Sequence, residues 1–248
     1  MQGSFRDSKL GERSRAARDV RPFVLGVFLV VYGNLAALVV GTATPATDPK
    51  GIGLSILLLV FMVAWIGFSQ RLTAKELGLS RQHAVRSASL GVLVGLCAAV
   101  PALLFLRYPP LVGEALQYSP LSSLSREALL WRVFVWMPLD TAIPEEIAFR
   151  GVLLAALRRR LANRSAVLLS AMLFAVWHGV IVTRTVALTN LEADPVLAVL
   201  GLLGAFLAVG VGGVLFALLR LATDHLAGSM VAHWAFNAVL LLGLGGTA

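Results

Sequence analysis

Residues 128–158 read ALLWRVFVWMPLDTAIPEEIAFRGVLLAALR. A helix needs about 20 mostly apolar residues to cross the hydrocarbon core of a bilayer, and residues 128–149 supply that length. They also hold Pro138, Asp140, Pro144, Glu145 and Glu146, with the helical pattern running on to Arg158. Six neighbouring stretches are apolar over similar lengths: 22–42, 52–69, 87–106, 165–183, 196–219 and 226–245. The pattern predicts an all-α protein, a polytopic transmembrane helix bundle of about seven spans in which the fourth is the polar one.

Composition agrees. The 248 residues are 58% hydrophobic and 14% charged, with a mean hydropathy of +0.84, against about 45–50% apolar and about a quarter charged in soluble domains. No linker, repeat or low-complexity tract divides the chain, so a basic tail over 1–21 is expected to lead into one transmembrane domain over 22–248. The apolar run after the tail exceeds the roughly 7–15 residues of a cleavable signal peptide, so it is expected to stay as an anchor. The net charge of +8 comes from short clusters between apolar runs, not from a stripe. Membrane lipid, and not nucleic acid, is the partner this predicts. The lone Cys97 excludes an internal disulfide and reads as a packing residue.

Charge asymmetry sets the expected orientation. Six basic residues in the tail, four in 70–86, four in 158–164 and Arg220 fall on one side; Lys50, Arg107, Arg126 and Arg184 fall on the other. The positive-inside rule places the N-terminus in the cytoplasm.

Polar groups inside the spans carry the functional reading, because a charge at the centre of a spanning helix costs at least about 2.5–3.5 kcal/mol and usually has a task. Glu146 and Arg150 are four apart and share a helix face, which suits an ion pair. Glu145 points about 100° away from that pair. Phe174 with His178, and His233 with Asn237, are likewise four apart. Glu145 and His178 each lie about 20 Å from the cytoplasmic ends of their helices, and Asn237 about 16 Å into the last one, so three helices bring polar groups to a similar level.

A carboxylate, two imidazoles and an amide at one level suit hydrolysis. Glu145 or His178 can take a proton from water, while His233 and Asn237 can donate to a developing oxyanion. Two His and one Glu plus water also form a known catalytic zinc arrangement, so a divalent metal held by Glu145, His178 and His233 is an alternative; HExxH is absent. Phe174 reads as core, Asp140 as a group serving backbone freed by the prolines, His225 and Asp224 as solvated or capping, and His83 as surface. Gly201, Gly204, Gly210, Gly212 and Gly213 read as sites of close helix approach.

Read in order, Glu145-Glu146-x-x-x-Arg150, Phe174-x-x-x-His178 and His233-x-x-x-Asn237 resemble the CPBP intramembrane protease family, which includes type II CAAX prenyl endopeptidases and bacteriocin-processing or self-immunity (Abi-like) proteins. The resemblance covers 128–245; the first three spans add only hydropathy. It implies a hydrolase, an intramembrane endopeptidase described in its family as a metalloprotease. Glu145 and His178 would activate water, His233 and Asn237 would hold the oxyanion, and Glu146 and Arg150 would be structural support. The implied substrate is a membrane-associated peptide or protein, prenylated or a peptide precursor, and the expected location is the plasma membrane of a prokaryote. Serine and aspartyl intramembrane proteases fit less well, since Ala227-Gly228-Ser229-Met230 lacks the second glycine of GxSG and Asp140 has no second intramembrane aspartate beside it. The competing readings are a non-catalytic immunity or partner-binding protein and, less favoured, a proton-coupled transporter, for which paired broken helices would be expected.

Overall fold

A computed structural model describes residues 19–40, 49–66, 71–80, 82–108 and 113–245. Most of the basic tail therefore lies outside the described residues. Helices make up the fold: α1 (Arg21–Val40), α2 (Pro49–Trp65), α3 (Ala84–Arg107), a composite α4 (Arg126–Arg158), α5 (Asn163–Trp177), α6 (Gly179–Ala187), α7 (Pro195–Thr223) and α8 (Leu226–Gly245). No strand occurs among the described residues, and the protein is an all-α bundle.

The bundle wears its apolar residues on the outside. Val24, Val27, Val31 and Leu35 on α1 are exposed, as are Leu200, Leu203, Leu207 and Val211 on α7. Water would penalise such rows, and lipid does not. Among the described residues, four helices are long and apolar enough to cross a membrane, namely α1, α3, α7 and α8, and five if α5 and α6 count as one bent span. The two other stretches expected to span fall short of that measure: α2 has 17 residues, and the apolar run of α4 is broken by Arg132, Asp140, Glu145, Glu146 and Arg150.

The composite α4 winds without interruption through Arg126–Trp131, Arg132–Ala142, Ile143–Glu146, Ile147–Leu153 and Leu154–Arg158. Its prolines do not break it. The segments Arg132–Ala142 and Ile147–Leu153 are π-helical, and the Ile143 N–H bonds to the Pro138 carbonyl, five residues back. Wide turns absorb prolines that lack an N–H, and they change which residues share a face. Glu145 and Glu146 sit on the single α-turn between the two wide segments.

Its second half is the centre of the molecule. Phe149, Leu153, Leu154 and Leu157 pack with Leu25 and Leu29 of α1, Met62 of α2, and Phe174 and Trp177 of α5. The closest helix contact lies elsewhere, between α3 and α8. A Cβ on Gly91 would stand 2.3 Å from the Gly228 carbonyl oxygen, and one on Gly95 would stand 2.7 Å from that of Ala232. The small-residue contacts expected on α7 shrink accordingly: Gly213 meets Ala171 and Gly201 meets Leu191, but Gly204 faces open space and Gly210 and Gly212 meet only ordinary contacts. Cys97 is exposed and not a packing residue, because it lies on the outward face of α3.

Candidate active site

Three helices bring the polar residues together. On α4, the buried Arg150 guanidinium lies 2.9 Å from Glu146 Oε1, one helical turn away. It sits 4.0 Å over the Phe174 ring and 5.5 Å from that of Phe216, and its other amino group donates to the Gly213 carbonyl at 3.4 Å. The charge is thus held between a carboxylate, a carbonyl and two aromatic faces, which is how a bundle tolerates a buried cation.

The same Glu146 oxygen takes a second partner, His233 Nδ1 on α8, at 3.1 Å. A carboxylate facing an imidazole nitrogen at this distance accepts, so Nδ1 carries the proton and Nε2 is left for other work. His233 stacks on Phe216 at 5.4 Å and 25°. The sequence had assigned Glu146 to Arg150 alone. It missed the bond to His233 because nothing in a linear pattern links positions 146 and 233.

Glu145 turns the other way and meets His178. Its Oε2 lies 3.6 Å from His178 Nε2, is buried, and makes no hydrogen bond to the described residues. His178 Nδ1 is 2.8 Å from the Phe174 carbonyl. A carbonyl only accepts, so this proton too is on Nδ1, and in the neutral imidazole Nε2 presents a lone pair to Glu145. Two acceptors facing each other at 3.6 Å are a place for a donor, and water with two O–H groups is the simplest one.

Phe174 joins the halves. Its ring centroid is 4.4 Å from that of His178 and 6.1 Å from that of His233, so it forms a wall between the imidazoles and is more than core. Asn237 lies one turn beyond His233 on α8, half-buried. Asp140 stands apart: its carboxylate accepts from the Thr141 hydroxyl at 2.8 Å and lies 3.7 Å from Arg132. It also takes its own backbone N–H, so it serves backbone, as expected, and side chains together. His225 does cap a helix, its Nδ1 accepting from the Ala227 N–H at 2.9 Å.

His178 owes its position to a residue that hydropathy could not single out. The expected straight span over 165–183 is bent by 48° at His178, between α5 and α6. Asn34 of α1 bridges the bend. Its Nδ2 donates to the Val176 carbonyl at 2.9 Å and its Oδ1 accepts from the Val180 N–H at 2.8 Å, satisfying backbone groups that the break exposes. Gly179 is needed there, as a Cβ would stand 2.9 Å from Asn34 Oδ1.

For the metal alternative, Glu145 and His178 face each other at 3.6 Å, and His233 bonds to Glu146 through Nδ1 and keeps Nε2 free. Among the described residues no three His, Cys, Asp or Glu side chains are grouped to hold an ion.

A family described as type II CAAX prenyl endopeptidase Rce1-like matches residues 127–239. These residues belong to the CPBP family. Neither a curated protein nor a solved structure matches the chain. The CPBP segment runs from α4 to α8 and contains Glu145, Glu146, Arg150, His178, His233 and Asn237, but not Asn34. Exposed apolar helices and this match indicate an integral membrane protein whose residues 127–239 are of the CAAX-type intramembrane protease class.

Proposed function

We propose that the protein is an active intramembrane endopeptidase that hydrolyses a peptide bond in a membrane-associated or lipidated substrate, using water activated by Glu145 and His178. The single observation that carries this reading is the pair of acceptors, Glu145 Oε2 and His178 Nε2, facing each other at 3.6 Å with His178 Nδ1 tied back to the Phe174 carbonyl. A water donating to both is polarised towards hydroxide.

The water oxygen attacks the carbonyl carbon of the scissile bond while its proton passes to Glu145 or His178. The carbonyl π bond opens onto oxygen, and the oxyanion receives hydrogen bonds from the Asn237 amide and from His233, for which Nε2 must carry a proton as well as Nδ1. Preorganised donors of this type are worth about 2.7–4 kcal/mol each. When the tetrahedral intermediate collapses, the C–N bond breaks and the held proton goes to the leaving amine. Glu146 and Arg150 touch no reacting atom in this scheme. Glu146 positions His233, and Arg150 neutralises Glu146.

The family description supports a prenylated C-terminal peptide as the first substrate to try, with other membrane-anchored peptide precursors next. The seven-span arrangement with a cytoplasmic N-terminus, in the plasma membrane of a prokaryote, belongs to the same proposal and rests on the basic-residue asymmetry. The test is cleavage of farnesylated and unmodified membrane-anchored peptides by purified protein in proteoliposomes. Cleavage by the wild type and its loss in Glu145→Gln are expected. A wild type inert on the whole panel, or a Glu145→Gln variant of full activity, would overturn the proposal.

A further inference from the structure

A second feature lies at the basic end of the bundle, away from the candidate active site. A cavity of about 540 Å³ opens there, with Lys75, Arg86, Leu90, Thr223 and Asp224 in its lining. The lining ends at Asp224, just before α8 begins at Leu226, and His233 lies about 10 Å further along that helix.

Three features make this cavity attractive to an anion. Lys75 and Arg86 both line it and form no ion pair with any described residue, whereas the one acidic lining group, Asp224, is matched by Arg220 at 3.2 Å. The net charge of the lining is therefore positive. His83, at φ 70°, begins the 24-residue α3 and no side chain caps that helix, so its first N–H groups and its dipole add to the field. Ser80, Gln82 and Thr223 supply further hydrogen-bonding groups.

The frame is rigid. Ser87 Oγ donates to Thr223 Oγ1 at 2.9 Å and accepts from the Gly228 N–H at 2.9 Å. Arg220, almost wholly buried, donates to the Glu76 carbonyl at 2.7 Å. Gly78, at φ 75°, leaves it room, as a Cβ there would stand 2.7 Å from the guanidinium. A pocket fixed by two helices and a loop in this way loses little entropy when a ligand enters.

The other wall is apolar. Leu90 lines the cavity, and Val85, Leu93 and Leu96 continue outward along α3 as exposed residues. An inorganic ion would make no use of that stripe. A phosphodiester headgroup with acyl chains attached would use both, with phosphate against Lys75 and Arg86 and chains along α3.

We propose that this cavity binds the phosphate headgroup of an anionic phospholipid, with its acyl chains laid along the Val85–Leu96 face of α3. The proposal stands independently of the proteolytic reading. Binding of phosphatidylglycerol and phosphatidylcholine to the full chain in detergent is measured by native mass spectrometry. The lipids are compared in wild type, in the Lys75→Ala/Arg86→Ala double variant, in Arg86→Lys and in Arg126→Ala, whose side chain is exposed outside the cavity. At about fivefold per basic side chain beside an anionic lipid, the double variant is expected to bind phosphatidylglycerol roughly 25-fold more weakly. Arg86→Lys and Arg126→Ala should stay near wild type, and phosphatidylcholine should bind weakly throughout. Inorganic phosphate forms a separate arm. Failure of millimolar phosphate to compete supports the lipid, and full competition that the double variant abolishes assigns the site to free phosphate instead. Equal phosphatidylglycerol binding in wild type and double variant, or equal binding of both lipids by wild type, overturns the proposal.

Discussion

Glu146 and His233 are 87 residues apart in sequence and meet at 3.1 Å, through the same carboxylate oxygen that lies 2.9 Å from Arg150. One acid thus neutralises a buried cation and fixes which nitrogen of an imidazole carries its proton. Removing Glu146 leaves Arg150 uncompensated. Breaking a buried pair by deleting one partner costs about 3–5 kcal/mol, whereas replacing both partners with apolar groups is often near neutral. Glu146→Ala should therefore lower the thermal midpoint in detergent sharply. The Glu146→Leu/Arg150→Met double variant should recover most of that loss and stay inactive in peptide cleavage, because His233 has lost its anchor. Full activity in the double variant would show that His233 needs no partner.

Asn34 is the second positioning residue. Asn34→Leu keeps the apolar character of α1 but strands the Val176 carbonyl and the Val180 N–H at the bend beside His178. Leaving a buried polar group unpaired costs about 1–3 kcal/mol. A displacement of about 1 Å at a reacting group can cost about 100-fold in rate. The expected signature is a fall in kcat with little change in KM, measured beside thermal unfolding. A stability loss with unchanged kcat would make Asn34 purely structural.

Much of this was legible in the sequence. Glu145, Glu146, Arg150, His178, His233 and Asn237 announce themselves because ions and amides stand out in apolar runs. Helical spacing alone pairs Glu146 with Arg150. What could not be read depends on partners distant in the chain or on departures from the regular α-helix. The 3.6-residue period fails across the π-helical segments Arg132–Ala142, which holds Pro138, and Ile147–Leu153. Asn34 looked like one polar residue in an otherwise apolar anchor. Nothing in the sequence sets Gly91 and Gly95 above the more numerous glycines of α7, since a glycine's role depends on what faces it.

That difference among glycines can be measured. Gly91→Ala drives a Cβ towards the Gly228 backbone, which cannot move aside, and overpacking of this kind costs about 1–3 kcal/mol. Gly204→Ala adds a methyl where nothing lies within 4 Å and should gain roughly 1 kcal/mol of helix propensity. Thermal midpoints of the two variants should therefore move in opposite directions. A stabilised Gly91→Ala would refute the close α3–α8 contact.

Outside the membrane, Glu76 ties the loop before α3 to the end of α4. Burial raises its carboxyl pKa, but the Thr73 N–H and hydroxyl and the Arg159 guanidinium at 2.6 Å outweigh this and hold it below the ordinary carboxylate value. A depressed folded-state pKa gives stability that is complete above the unfolded value of 4.5 and is lost as pH falls through the folded one. The stability gap between wild type and Glu76→Gln should thus be constant from about pH 7 to about pH 6 and shrink towards about pH 3. A gap that widens on acidification would reverse the assignment.

The central claim is that Glu145 and His178 act as one unit on one water. It is tested most directly by a double-mutant cycle on kcat/KM for peptide cleavage in proteoliposomes, with Glu145→Gln, His178→Ala and the combined variant. Groups that act together are strongly non-additive, so each single change should remove nearly all activity and the double variant should be no worse than either. Effects that multiply, or a single variant that keeps wild-type activity, would contradict the account.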